Sequence, residues 1–145
     1  MIWADKKDYK NAFRKHYSTY LGMEAEHTAV ISQNMILAYT VECGLKYLLL
    51  DKWKVSSPQN SIKNNEDGRY RVLITHDIMA ILKELGKTNF RFPVFCTCHK
   101  EEVHTKDFHE VCRYGIYVSG KDEKKNKEYV LELIKVLEWI QEGIA

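Results

Sequence analysis

An all-α protein, folded as an antiparallel up-and-down bundle of four to five helices, is predicted from three observations. Hydrophobic residues recur at helical spacing in several long segments, turn-forming residues separate those segments, and no β-hairpin pattern is visible. The chain of 145 residues also favours a single domain over residues 1–145, which is long enough to bury a core. Facing apolar stripes would then hold the bundle together.

The first two helices are predicted over residues 5–21 and 26–53, separated by Gly22, which is a common helix stop. Their apolar stripes are Tyr9, Phe13, Tyr17 and Leu21 in the first helix and Ala38, Val41, Leu45 and Leu48 in the second. Residues 55–74 are rich in turn formers and predict a long loop, with a short strand-like stretch at 70–74.

Three further helices complete the expected bundle. The third is predicted over residues 75–85 with Thr75 as its cap, and the fourth over residues 100–117. The fifth begins near Asp122 and has a regular inward stripe, formed by Val130, Leu133, Leu137, Ile140 and Ile144.

The composition excludes several broad classes of protein. Hydrophobic residues at 45% and charged residues at 29% are typical of a globular protein, and a net charge of +2 is too small for a general electrostatic hold on nucleic acid. No segment approaches the roughly 20 apolar residues that span a bilayer, and no secretory signal is recognisable, so we expect a cytoplasmic protein without membrane contact. Four cysteines do not make a disulfide scaffold in a chain of this length.

The most informative segment is the second predicted helix, where Glu42 and Lys46 lie one turn apart within a leucine-rich run. One interpretation is an ordinary amphipathic helix, whose polar pair reaches solvent by extending along the surface. The other is a helix that carries a polar site into the bundle, because partly buried charges require partners that offset their desolvation.

Three segments, in order, resemble the HEPN superfamily of small prokaryotic helical-bundle domains. Residues 38–50 are similar to its "A-x-E-x-x-L-K-x-L-L-L" helix, and residues 75–85 to its "T-H-D-L-x-x-L-L-x-x-L" helix. Residues 111–115 are similar to its "x-x-R-Y-P" motif, with Gly115 where proline is usual. The resemblance implies a HEPN-like bundle and identifies Glu42, Lys46, Arg113 and Tyr114 as candidate ligand-binding residues.

Many members of that superfamily are metal-independent endoribonucleases that act as dimers in toxin–antitoxin or antiviral defence systems. Their catalytic motif is an Arg followed a few residues later by a His, and no His follows Arg113 in that interval. His109, one turn before Arg113, is the candidate base, whereas Arg71 and His76 have the spacing but are predicted to lie on different elements.

The absence of this His favours a binding role over catalysis. The leading hypothesis is a non-catalytic module that binds RNA, a nucleotide or a partner protein. The resemblance also implies a homodimer, and a cognate nucleotidyltransferase or ATPase as a further partner. The alternative is a ribonuclease that uses Arg113 with His109 as a non-standard base.

A metal site is a third hypothesis, because six potential ligands lie between residues 96 and 112. The candidate zinc ligands are Cys96, Cys98, His99 and His104. Their spacing differs from a standard Cys-x-x-Cys knuckle, so the chain either needs no cofactor or forms a zinc-stabilised interaction domain.

Overall fold

The computed structural model of the protein describes residues 2–62 and 67–144, and helices dominate it. The long helices are α1 (Lys6–Ala25), α2 (Val30–Trp53) and α7 (Glu123–Ile144). The short helices are α3 (Pro58–Ser61), α4 (Gly68–Ile74), α5 (Ile78–Glu84) and α6 (Phe108–Tyr114). Two strands, β1 (Phe95–Cys96) and β2 (Glu102–Val103), precede α6.

Helix α2 is the centre of the fold and packs against α1, α7, α5 and α6. Its apolar residues are buried on more than one face, because Leu37 and Leu50, which lie on nearly opposite sides of the helix at about 100° per residue, are both fully inaccessible. The predicted stripe is confirmed at Val41 and Leu45, and Leu48 is only partly buried. This all-round burial is expected of a helix surrounded by others.

Helix α1 extends further towards its C-terminus than predicted. Gly22 does not end α1, which continues to Ala25, and α2 begins only at Val30. Tyr20 is buried while Leu21 is 46% exposed, so the C-terminal part of the predicted stripe is wrong by one residue. The helix ends at Ala25, and the backbone amide of the following Glu26 donates hydrogen bonds to the carbonyls of Glu24 and Gly22.

The predicted loop over residues 55–74 contains two short helices, α3 and α4. The strand-like stretch at 70–74 is wrong, because these residues form the body of α4, whose first turn is capped by Asp67. Leu73 of this helix packs with Leu50, Val55 and Ile62 in a small second core. Residues 63–66 of the predicted loop lie outside the described residues.

The third predicted helix is confirmed in place, but its cap is different. Asp77, rather than Thr75, accepts hydrogen bonds at Oδ1 from the amides of Met79 (3.1 Å) and Ala80 (3.4 Å). The Thr75 hydroxyl accepts a hydrogen bond from the Asp77 amide at 3.1 Å, in the turn that precedes the helix. Helix α5 therefore begins at Ile78, and His76 lies just outside it.

A small antiparallel sheet replaces much of the fourth predicted helix. Phe95 pairs with Val103 and Cys96 with Glu102, so α6 starts only at Phe108, and the prediction of no hairpin was wrong. Phe95 and Val103 are buried at 0% and 1% exposure, which ties this hairpin to the main core. The strands are too short to produce a visible alternating pattern.

The last helix is confirmed, and its predicted stripe is buried at Leu133, Leu137, Ile140 and Ile144, whereas Val130 is only partly buried and Tyr129 beside it is fully buried. A 3₁₀ turn over Gly120–Asp122 precedes it, and the buried Asp122 carboxylate accepts the Cys96 amide at 2.7 Å. That hydrogen bond joins the start of α7 to the hairpin. Among the helices of residues 2–62 and 67–144, none has the length and apolarity needed to cross a bilayer.

Two glycines provide a matched test of the packing around α2. A Cβ at Gly44 would lie 2.6 Å from Ile140 Cγ2 and 2.8 Å from Phe13 Cδ2, so Gly44→Ala should lower the free energy of unfolding by about 1–3 kcal/mol. At Gly22, within α1, a Cβ would meet nothing within 4 Å apart from the helix's own neighbouring backbone, and Gly22→Ala should raise the free energy of unfolding by about 0.5–1 kcal/mol. Urea unfolding followed by circular dichroism measures both; equal effects of the two substitutions would contradict the close packing of α2.

Candidate functional site

Helix α2 brings an ammonium group into the interior of the bundle. Lys46 is only 5% exposed, and its Nζ lies 3.2 Å from Glu42 Oε2. The one-turn spacing on a helix places the two side chains on the same face. Of the two interpretations of this pair, the structure therefore agrees with the one in which the helix carries it inward.

The second oxygen of the same carboxylate binds His76, which the sequence offered only as a spacing match to Arg71 and not as a partner of Glu42. His76 Nδ1 lies 2.8 Å from Glu42 Oε1. Because a carboxylate can only accept, His76 donates this hydrogen bond from Nδ1, which leaves Nε2 outside the contact with Glu42. One feature of the sequence could have indicated this contact: His76 directly precedes Asp77, which caps the short helix α5, and α5 packs against α2.

A second imidazole lies against the first. The rings of His76 and His109 have their centroids 4.4 Å apart and an interplanar angle of 33°. The His109 side chain is 12% exposed, and its Nδ1 is buried without a hydrogen-bond partner among the described residues. Burial lowers the pKa of His109, and the charges of His76 and Arg113 act in the same direction, against Glu110 and Glu42.

Arg113 lies at the exposed edge of this group, one turn after His109 on α6. It lies beside Tyr39 of α2, and hydrogen bonding to Tyr39, then to Tyr114, raises the pKa of its guanidinium. The guanidinium carbon also lies 5.9 Å from the centroid of the Tyr114 ring. The predicted ligand-binding residues thus come from two helices that contact each other, Glu42 and Lys46 from α2 and Arg113 and Tyr114 from α6, and His76 joins them from the segment before α5.

We refer to Glu42, Lys46, His76, His109 and Arg113 as the histidine cluster. It combines a buried ion pair, two imidazoles, of which His76 is 44% and His109 12% exposed, and an exposed guanidinium. Imidazoles can accept or donate protons near neutral pH, and a guanidinium binds phosphate or carboxylate oxygens in bidentate fashion. The arrangement is therefore suited to an anionic ligand.

The candidate zinc ligands are not assembled in the same way. Cys96 lies in β1, Cys98 and His99 are exposed beyond it, and His104 Nε2 lies 3.5 Å from Glu102 Oε2. Within residues 2–62 and 67–144, no three His, Cys, Asp or Glu side chains converge in a way that could hold a metal ion. The hairpin is instead held by Thr97, whose hydroxyl accepts the amides of His99 and Glu101.

Comparison of the chain with protein-family models, with curated proteins and with solved structures found no match.

The ion pair can be tested by a double-mutant cycle. Glu42→Gln keeps an acceptor for His76 but leaves the Lys46 ammonium without its counter-charge, so it should lower the free energy of unfolding by about 3 kcal/mol. Adding Lys46→Met removes the buried charge and should recover at least roughly half of that loss. Urea unfolding of the four proteins measures the coupling; strictly additive losses would show that the two charges do not depend on each other.

Proposed function

We propose that the protein is a HEPN-like helical module that binds a phosphate-bearing ligand, RNA or a nucleotide, at the histidine cluster. The module belongs to a prokaryotic defence or toxin–antitoxin system and acts by binding rather than by cleavage. The system and its further components, a second copy of the chain and a cognate nucleotidyltransferase or ATPase, follow from the resemblance of three segments alone.

The observation that carries the proposal is the setting of Arg113. Its guanidinium is exposed, lies one turn after His109 on α6 and has its carbon 5.9 Å from the centroid of the Tyr114 ring. A planar guanidinium presents N–H donors in a geometry that matches phosphate oxygens. Tyr114 is 64% exposed, which leaves its ring available to stack on a base.

The rest of the cluster supports a binding role. His76 Nδ1 is already bound to Glu42, and little of the His109 ring reaches solvent. Neither imidazole follows Arg113 in the interval that the superfamily motif requires. The two rings therefore serve in this proposal to form a wall beside the phosphate and to place α6 against α5.

RNA binding should depend on Arg113 more than on other surface arginines. Arg113→Ala should weaken binding of a short single-stranded RNA by about 10-fold, because a charge-assisted hydrogen bond is lost. The slope of log K against log salt concentration should also become shallower by about 0.7, as expected for one lost phosphate contact. Fluorescence anisotropy across a salt series measures both values.

Arg14→Ala is the matched control, because it removes the same charge from an exposed position on α1. It should leave the RNA affinity within about twofold of the wild type. Equal losses in the two variants would mean that only net charge matters, and RNA that does not bind the wild-type protein at all would contradict the proposed function.

A ribonuclease is the second candidate, and one observation favours it. The Glu42–His76 hydrogen bond orients an imidazole with Nε2 free to take a proton, as a carboxylate does for a general base in acyl transfer. In EDTA, we expect the purified protein to leave a structured RNA intact. Cleavage that is lost in both Arg113→Ala and His76→Gln would instead establish a metal-independent enzyme.

A further inference from the structure

A groove outside the histidine cluster runs between the start of α2, the segment after α6 and the first half of α7. Its volume is about 640 Å³, within the range of small-molecule sites, and its lining is mostly apolar. The apolar lining residues include Ile31, Ile116, Tyr117, Val118, Val130 and Leu131. Three residues at its edge are unusually exposed for their type: Val30 at 68%, Tyr117 at 81% and Leu131 at 59%.

The floor of this groove contains a buried amide. Asn34 lines the groove and is only 6% exposed, yet its side chain forms no hydrogen bond with any residue that the structure describes. Its amide atoms keep contact with the solvent in the groove, so they are available to a ligand without the loss of a hydrogen bond within the described residues. Its carbonyl and NH₂ offer one acceptor and two donors side by side.

The remaining polar groups lie at the rim. Glu123, Asn126 and Lys127 are at the start of α7, on the solvent side of the apolar lining. The occupant that fits has flat apolar faces, an edge with an adjacent donor and acceptor, and a polar end that stays near the solvent.

We propose that this groove binds a nucleobase, with adenine preferred. An asparagine amide pairs with adenine through one donor and one acceptor, which would satisfy Asn34. The exposed Tyr117 ring supplies a stacking face, and base–aromatic stacking contributes strongly to single-strand binding. A helix of a partner protein fits less well, because its backbone groups are already paired and would leave the Asn34 amide unsatisfied.

The position of the groove relates it to Arg113. Gly115 adopts a left-handed conformation (φ 62°) and ends α6, so the chain turns between Arg113 and the groove residues Ile116 and Tyr117. A nucleotide could place its phosphate on the guanidinium and its base, or the base of a neighbouring nucleotide, in the groove. This linkage rests on the proposed function, whereas the base site itself does not require Arg113.

The test uses adenosine, which carries no phosphate, titrated into the isotope-labelled full chain and followed by backbone amide NMR. We expect shifts at groove residues, and weaker shifts with uridine at the same concentration. Asn34→Leu and Tyr117→Ala should each weaken adenosine binding by about 10-fold. Asn11→Leu, on the exposed surface of α1, is the matched control and should bind adenosine like the wild type.

Several outcomes would overturn the base site. One is the absence of groove shifts at millimolar adenosine, and another is unchanged adenosine affinity in Asn34→Leu. A third is a ligand-free dimer by light scattering that becomes a monomer in Tyr117→Ala, which would identify the groove as an interface between copies. Thermal unfolding of each variant verifies that the fold is retained.

A parallel titration separates this inference from the proposed function. Inorganic phosphate should shift amides near Arg113, and Arg113→Ala should abolish those shifts without changing the adenosine affinity. Loss of the phosphate response alone would contradict the proposed function and leave the base site standing. Loss of the adenosine response alone would contradict the base site and leave the proposed function standing.

Discussion

The burial of one ammonium group determines how the rest of the candidate site is built. Lys46 is enclosed by the bundle, and an enclosed charge is tolerated only with a partner of opposite sign. Glu42 supplies that partner with one oxygen and binds His76 with the other. His76 is 44% exposed, so a requirement of the core reaches the surface through three side chains, and His109 packs against the third.

The long helices could be predicted because each repeats its pattern over several turns. In α7 the buried residues recur at helical spacing from Leu133 to Ile144, and no other period explains them. The hairpin and α6 could not be predicted with the same success. Strands of two residues hold no readable pattern, and their stability comes from tertiary contacts such as the Asp122–Cys96 hydrogen bond.

The candidate site, too, could be predicted where it depends on spacing within one helix and not where it depends on the packing of separate elements. Glu42 with Lys46, and His109 with Arg113, are each one turn apart on a single helix, so their shared faces follow from spacing. The approach of His76 depends on how α5 is placed against α2, and no spacing in the sequence encodes that placement. Cysteine and histidine density between residues 96 and 112 was a weaker guide, because the hairpin directs those side chains apart.

Helix α2 supplies both the floor of the apolar groove, at Asn34, and the base of the histidine cluster, at Glu42 and Lys46. Each added residue in a helix rotates everything beyond it by about 100°. An insertion anywhere between these positions would therefore turn one surface away from its partners while the other stayed in place. Natural length variation in relatives of this chain should avoid residues 34–46 and collect in exposed turns such as residues 98–101.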